Sequence, residues 1–350
     1  MMRKRNYFAV LCMFSITSVV AQKKEITRAY CQLIDSAEIA ITENNLNKAV
    51  SLYESAFKMR TYIHTNDLYN AAIVYTQISD FQHTRQLFDS LALRGFPINF
   101  FMKKSTFYKF RESNYWIEFM NSFPALRLNF HRTTNWEARY YVEYVHAKDQ
   151  NIYRNRHLYD EGARKKITND LVTELIEFFE KRGYPVDQKI GCFFLNDTTF
   201  LINTFPLNVV LIHAYQQNDF RLTSQLKKYV EEGLIKPDQF MNWNQYELTE
   251  KNIVGNYGLE NFFVVNGIVF KDEPIISINE KIDSNRTEVL GCSFDRFCQK
   301  IVFQFFNKTK LYSMASWGGV AIWEVEKNDI EKFTQGFKKT DYKLYDSNNQ

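Results

Sequence analysis

Two stretches of this chain superimpose when one is slid along by 35 residues: SAEIAITENNLNKAVSLYESAF (36–57) falls on AAIVYTQISDFQHTRQLFDSLA (71–92). Ala37 then lies on Ala72, Ile39 on Val74, Leu46 on Phe81, Leu52 on Leu87, Tyr53 on Phe88 and Ala56 on Leu91. Small and large apolar positions coincide. Between the apolar runs, Asn44-Asn45 lies on Ser79-Asp80, residues of turn-forming type. A helix–turn–helix unit cannot bury its apolar face alone, so self-similarity at this period specifies helices stacked on helices.

Composition agrees. With 12 Gly and 6 Pro among 350 residues, breakers are sparse, and aromatics reach 16 %, which favours a mostly α chain with short connections. In pattern and period the two stretches resemble tetratricopeptide helical hairpins, whose repeat is about 34 residues, although that family's full signature is absent. The resemblance implies antiparallel helix pairs over residues 22–124 and a surface for a protein partner. Two hairpins fall short of the roughly three repeats that stacking normally requires. The segment INFFMKKSTFYKFRESNYWIEFMNSF (98–123), with Phe107, Phe110, Trp116 and Phe119 to bury, is therefore expected to be a capping helix.

The first residues, MMRKRNYFAVLCMFSITSVVAQ, read as a cleaved secretory signal over 1–21. Arg3, Lys4 and Arg5 precede a short apolar run, and Val19 and Ala21 supply the small-residue pattern before Gln22. The run is shorter than the ~20 residues a membrane span needs, and Cys12 lies inside it, away from a lipid-attachment box. A periplasmic or secreted protein is expected, with no transmembrane span after cleavage. The net charge of +4 falls to +1 once the three cations of residues 1–21 are removed. That is too little for an electrostatic footprint on nucleic acid or an anionic membrane. Cys31, Cys192, Cys292 and Cys298 remain. The spacing in CSFDRFC lets Cys292 and Cys298 bridge a small loop or stay as two buried thiols. No pair has zinc-site spacing.

Pro124 and the polar run HRTTN (131–135) place a domain boundary between 124 and 134. A helical domain is expected over 134–300. Helices are read over 134–157, over 169–185 with its stop at Gly183 and Pro185, over 206–215 and over 220–235. Beyond Asn256, NFFVVNGIVF and YSMASWGGVAIWEVE turn to β-branched and aromatic residues around Asn-Gly and Gly-Gly, so short β-hairpins are expected toward and within a C-terminal extension, 301–350.

One residue breaks the helical pattern. Val142, Val145, Asp149 and Ile152 follow the i, i+3, i+7, i+10 spacing of a buried face, and Gln150, Tyr153, Arg154 and His157 occupy the stripe beside it. A lone carboxylate there costs several kcal/mol, so it must be paired or neutral. Asp149 is expected to be buried, ionised and bonded to a cation, Arg154 or, across the domain, Arg286, with His213 in the same cluster. The bland alternative is a network that only pins helices together.

Residues 135–300 resemble an uncharacterised bacterial family, domain of unknown function 6624. The likeness rests on Asp149, Gln150 and Arg154, then RGYP…IGCF with Gly183, Pro185 and Gly191, His213 closing VVLIHAY, Tyr257-Gly258, and Pro274, Ile275, Asp283 and Arg286 in PIISINEKIDSNR. The chain departs from the family in lacking an Asp-Arg after the Gly-ended helix and in reading Tyr-Gly-Leu-Glu. The family carries no established activity. The resemblance implies a polar cluster of Asp149, Gln150, Arg154, His213, Tyr257 and Arg286, whose arginines suit a small anionic ligand.

HExxH, GxSxG, a phosphate-cradling Gly loop and a dinucleotide fingerprint are all absent, and the six histidines show no paired ligand spacing apart from His146 and His157, eleven residues or three turns apart on one helix, so no cofactor and no metal is expected. Two classes stay open: an exported binding or protein-interaction module with a polar pocket, and a hydrolase using Asp149 or His213 as base and Arg154 or Arg286 to hold an anion.

Overall fold

The computed structural model describes residues 3–60, 62–196, 199–200, 206–259, 262–265, 268–272, 278–306, 312–314, 321–323, 331 and 337–339. The chain is mostly α. Helix α1 (Arg3–Thr42) is followed by α2 (Leu46–Lys58), which folds back on it, and α3 (Thr65–Gln77) by α4 (Phe81–Ala92), which does the same. The two turns have one geometry. Asn44 and Ser79, 35 residues apart, both take left-handed φ, 56° and 61°. In the first, the amides of Asn44 and Asn45 bond Ile41 and Ala40 carbonyls; in the second, those of Ser79 and Asp80 bond Thr76 and Tyr75. Asn45 then caps α2 by accepting from the Lys48 amide, and Asp80 caps α4 by accepting from that of His83. Ala37, Ala56, Ala72 and Leu91 are all fully buried, because small residues let the helix axes approach.

Residues 98–123 do not make one capping helix. They divide into α5 (Ile98–Lys103), α6 (Tyr108–Arg111) and the start of α7 (Asn114–Thr133), with extended backbone at Lys104 and Ser113. A straight helix would aim only one stripe of aromatics inward. The bends bring Phe101, Phe107, Phe110 and Phe119 around Phe88 at centroid distances of 4.5–5.3 Å. Arg111 donates to the Phe101 and Lys104 carbonyls, satisfying acceptors freed at the break. Helix α7 also runs through Pro124 and stops at Thr134. A proline inside a helix removes one backbone bond and need not end it.

After this first core, α8 (Trp136–Arg154), α9 (Glu161–Arg182), α10 (Asp187–Ile190), α11 (Pro206–Gln216), α12 (Thr223–Glu231), α13 (Pro237–Glu250), α14 (Asn279–Glu288) and α15 (Phe294–Phe306) follow. Residues from α8 to α15 form a second continuous apolar core, distinct from the one built on residues 30–119. Helix α9 starts earlier than the sequence pattern suggests, because Asp160 caps it by accepting from the Ala163 amide. It ends at Gly183, φ 73°.

Strands β1 (Phe194–Asn196) and β2 (Thr199–Phe200) pair, and β3 (Phe262–Val265), β4 (Ile268–Asp272), β5 (Ala321–Trp323) and β6 (Phe337–Lys339) align in the order β5-β3-β4-β6. The turn residues of both expected hairpins, Asn266-Gly267 and Gly318-Gly319, and also Pro274 and Ile275, lie outside the described residues. Among the described residues no helix is long and apolar enough to cross a membrane. Cys292 and Cys298 are not joined by a disulfide, and neither are Cys31 and Cys192. Cys298 is part of the second core and Cys292 packs against it, with Cys292 Sγ 3.8 Å from Arg286.

The two cores meet along α1. Lys24 on α1 pairs with Glu231 at the end of α12 at 2.6 Å. Arg60 donates to the Glu232 and Gly233 carbonyls just beyond it. Helix α1 also packs on α15. This seam positions the charged side chains described next.

Candidate functional site

Asp149 is fully buried in the last turns of α8, but its partner is not an arginine. Both carboxylate oxygens lie 2.9 Å from Nδ1 of His213, in the last turn of α11, and Gln150 Nε2 donates to Oδ2 at 3.0 Å. Facing a carboxylate, Nδ1 is the donor, and Nε2 has no partner among the described residues. Tyr153, one turn along α8, stacks on the imidazole at 3.4 Å, and its hydroxyl accepts from Gln217. Burial pushes the neighbouring His146 below its ordinary range. The His213 side chain keeps 16 % of its exposure.

Tyr257 and Arg286 of the expected cluster lie elsewhere. Arg154 and His157 are exposed. Arg286, fully buried, donates from Nε to the Cys292 carbonyl at 2.7 Å and from Nη1 to the Tyr257 carbonyl at 2.9 Å, and lies over the Phe297 ring. The Tyr257 hydroxyl donates to Asn244. Asp283 accepts from the Phe294 amide at the start of α15, and Gly258 has φ 71° with room for no side chain, since a Cβ would stand 2.8 Å from Phe294. Tyr257, Gly258, Asp283 and Arg286 thus hold the corner between α13, α14 and α15. An arginine that serves local carbonyls cannot also reach Asp149.

The largest concentration of buried charge lies instead at the seam. Cys31, Asp35 and Glu38 fall about a turn apart on one face of α1. Asp67 comes from α3, with His64 just before that helix; Lys236 precedes α13; Arg296 and Lys300 come from α15. Lys300 Nζ is 2.8 Å from both Asp35 Oδ1 and Glu38 Oε2. Lys236 Nζ is 2.9 Å from Asp67 Oδ1 and 3.7 Å from Glu38 Oε1. Asp67 Oδ2 accepts from the Tyr30 hydroxyl at 2.6 Å, and Arg296 pairs with Asp35 Oδ2 at 2.9 Å.

A cavity of about 50 Å³ opens among these groups, lined by Tyr30, Glu38, Lys236, Arg286, Cys292 and Lys300 with their neighbours. Burial raises Glu38 to about 7, against the pull of Lys300 and Lys236. Burial likewise drives His64 down to about 4. Burial opposes charge at Asp35 and Asp67 too, yet Lys300 and Lys236 hold both below their ordinary range. Glu38 Oε1 is buried and accepts no hydrogen bond.

No family model, curated protein or solved structure matches the chain. The site therefore stands on its own chemistry. Among the described residues no group of three or more His, Cys, Asp or Glu side chains is placed to hold a metal ion. The seam could have been flagged from sequence: Tyr30, Ile34 and Glu38 recur at i, i+4, i+8, so Glu38 lies on an apolar helical face as Asp149 does.

Proposed function

We propose that this chain is an exported binding protein whose pocket for a small polar ligand lies at the seam. In this reading the N-terminal hairpins, tetratricopeptide-like in their repeated turn and cap, form one wall of the pocket and the surface offered to a protein partner. The observation that carries it is Glu38: a fully buried carboxyl group that lines a cavity and has one oxygen without a hydrogen-bond partner. Natural cores leave such an acceptor unmet only rarely. A groove between two cores is also where small ligands commonly bind. The likeness of residues 135–300 to the uncharacterised family belongs to this reading and brings no reaction with it.

The test is a thermal-shift series with small acids, polyols and amines on the chain beginning at Gln22. One class should raise the melting temperature dose-dependently, and Glu38→Gln should alter that response. A flat response to every class removes the pocket reading.

A second reading, a hydrolase with His213 as general base, is favoured by one feature: Asp149 orients Nδ1 and leaves Nε2 unbonded. Arg286 is tied to the Cys292 and Tyr257 carbonyls instead, and Arg154 is exposed. Hydrolysis of nitrophenyl acetate that vanishes in His213→Asn, with melting temperature retained, would favour this reading.

A further inference from the structure

Arg286 is a cation of the seam with no carboxylate partner among the described residues. Asp35, Glu38 and Asp67 face Lys236, Lys300 and Arg296, carboxylate for cation. Asp238 also lines the cavity, and Arg60 lies close enough to act on Cys31. Arg286, lining the same cavity and fully buried, has as partners among the described residues two carbonyls, a thiol and the face of the Phe297 ring. A guanidinium carries five N–H donors, and three are engaged, so one on each Nη is open among the described residues. A buried charge without a counter-charge is costly, and a planar pair of donors matches a carboxylate.

Resting on the binding reading above, we infer that the seam cavity takes a small organic carboxylate, of acetate or glycolate size, held by Arg286 and Lys300 with Glu38 Oε1 as its hydrogen-bond donor. The volume of about 50 Å³ holds a few waters, hence an acid of about two carbons. Glu38 can donate only when protonated, and burial already places its proton near neutrality, at about 7. The groups facing it are Asp35 on its own helix, Tyr53 from α2, His64 and Asp67 from α3, Lys236 ahead of α13 and Lys300 from α15. A second negative charge beside Glu38 raises its proton affinity further. Binding above pH 7 therefore takes up a proton. Below that pH Glu38 already holds one.

The test is isothermal titration calorimetry of acetate and glycolate into the chain beginning at Gln22, from pH 6 to 8.5, in imidazole and Tris, cationic buffers of unlike ionisation enthalpy. Affinity should be level below pH 7 and fall by up to tenfold per unit above it, with heats that differ between buffers by up to one proton. Glu38→Gln should bind without pH dependence or proton uptake. Arg286→Lys, its fold checked by melting, should weaken binding at least tenfold. Wild-type affinity in Arg286→Lys, or binding without proton uptake at pH 8, overturns the assignment. Binding of Ala-Ala-Ala but not of the free acids would also overturn it, showing a peptide terminus as the source of the carboxylate. Binding of polyols or amines alone defeats the carboxylate and leaves the pocket reading standing; silence from every class defeats both.

Discussion

At the scale of single residues, Asp149 and Gly233 illustrate how partners set the cost of a change. Asp149→Ala strands the Nδ1 proton of a mostly buried imidazole and the Gln150 amide. A loss of about 1–3 kcal/mol is expected in urea unfolding. Asp149→Asn should lose less, since its amide oxygen can still accept from Nδ1. Gly233 and Gly183 both have positive φ, 70° and 73°. A Cβ on Gly233 would stand 1.9 Å from Arg60 Nη1, whereas one on Gly183 meets nothing within 4 Å. Gly183→Ala should show backbone strain alone, about 1 kcal/mol. Gly233→Ala should cost clearly more by also dislodging Arg60 from the Glu232 and Gly233 carbonyls. Equal losses would mean that Arg60 swings away freely.

At the scale of elements, α3 is buried along nearly its whole length, so it carries the first core. Ala72→Trp should overpack it by about 1–3 kcal/mol; an unchanged melting temperature would remove the close helix approach at this position. The repeated turns give a paired measurement. Asn45→Ala and Asp80→Ala each remove one side-chain cap of the same geometry, at about 1 kcal/mol apiece. The two turns were legible from residue types 35 apart. The bends at Lys104 and Ser113 were not, because aromatics at 98–123 fit a helical stripe locally, and only Phe88 as a shared neighbour rewards breaking it.

At the scale of the whole molecule, two buried groups at the seam titrate against each other. Glu38 is raised from 4.5 to about 7 on folding, so its contribution is full below 4.5 and is lost as pH rises through 7. His64 is lowered from 6.5 to about 4. Its contribution is full above 6.5 and is lost as pH falls through 4. Between pH 4.5 and 6.5 the two slopes offset. The stability of wild type relative to Glu38→Gln should therefore fall from pH 5 to pH 8, and relative to His64→Gln should rise from pH 4 to pH 7. Differences that stay level with pH would place both groups in their ordinary ranges.

Local pattern was enough to determine the mostly α fold, the turns at Asn44 and Ser79, the stop at Gly183 and the burial of Asp149, since each depends on spacing, caps or backbone freedom within a few turns. It also singled out Asp149 and His213, which the fold joins directly. Which cation meets which acid was decided only by the tertiary structure. Arg286 carries the same charge wherever it goes; its assignment to Tyr257 and Cys292 follows from the corner between α13 and α15, not from its neighbours in sequence. Likewise Glu38 and Lys300, 262 residues apart, become one site because two apolar cores close on α1, and burial rather than sequence then sets the protonation of the carboxyl group between them.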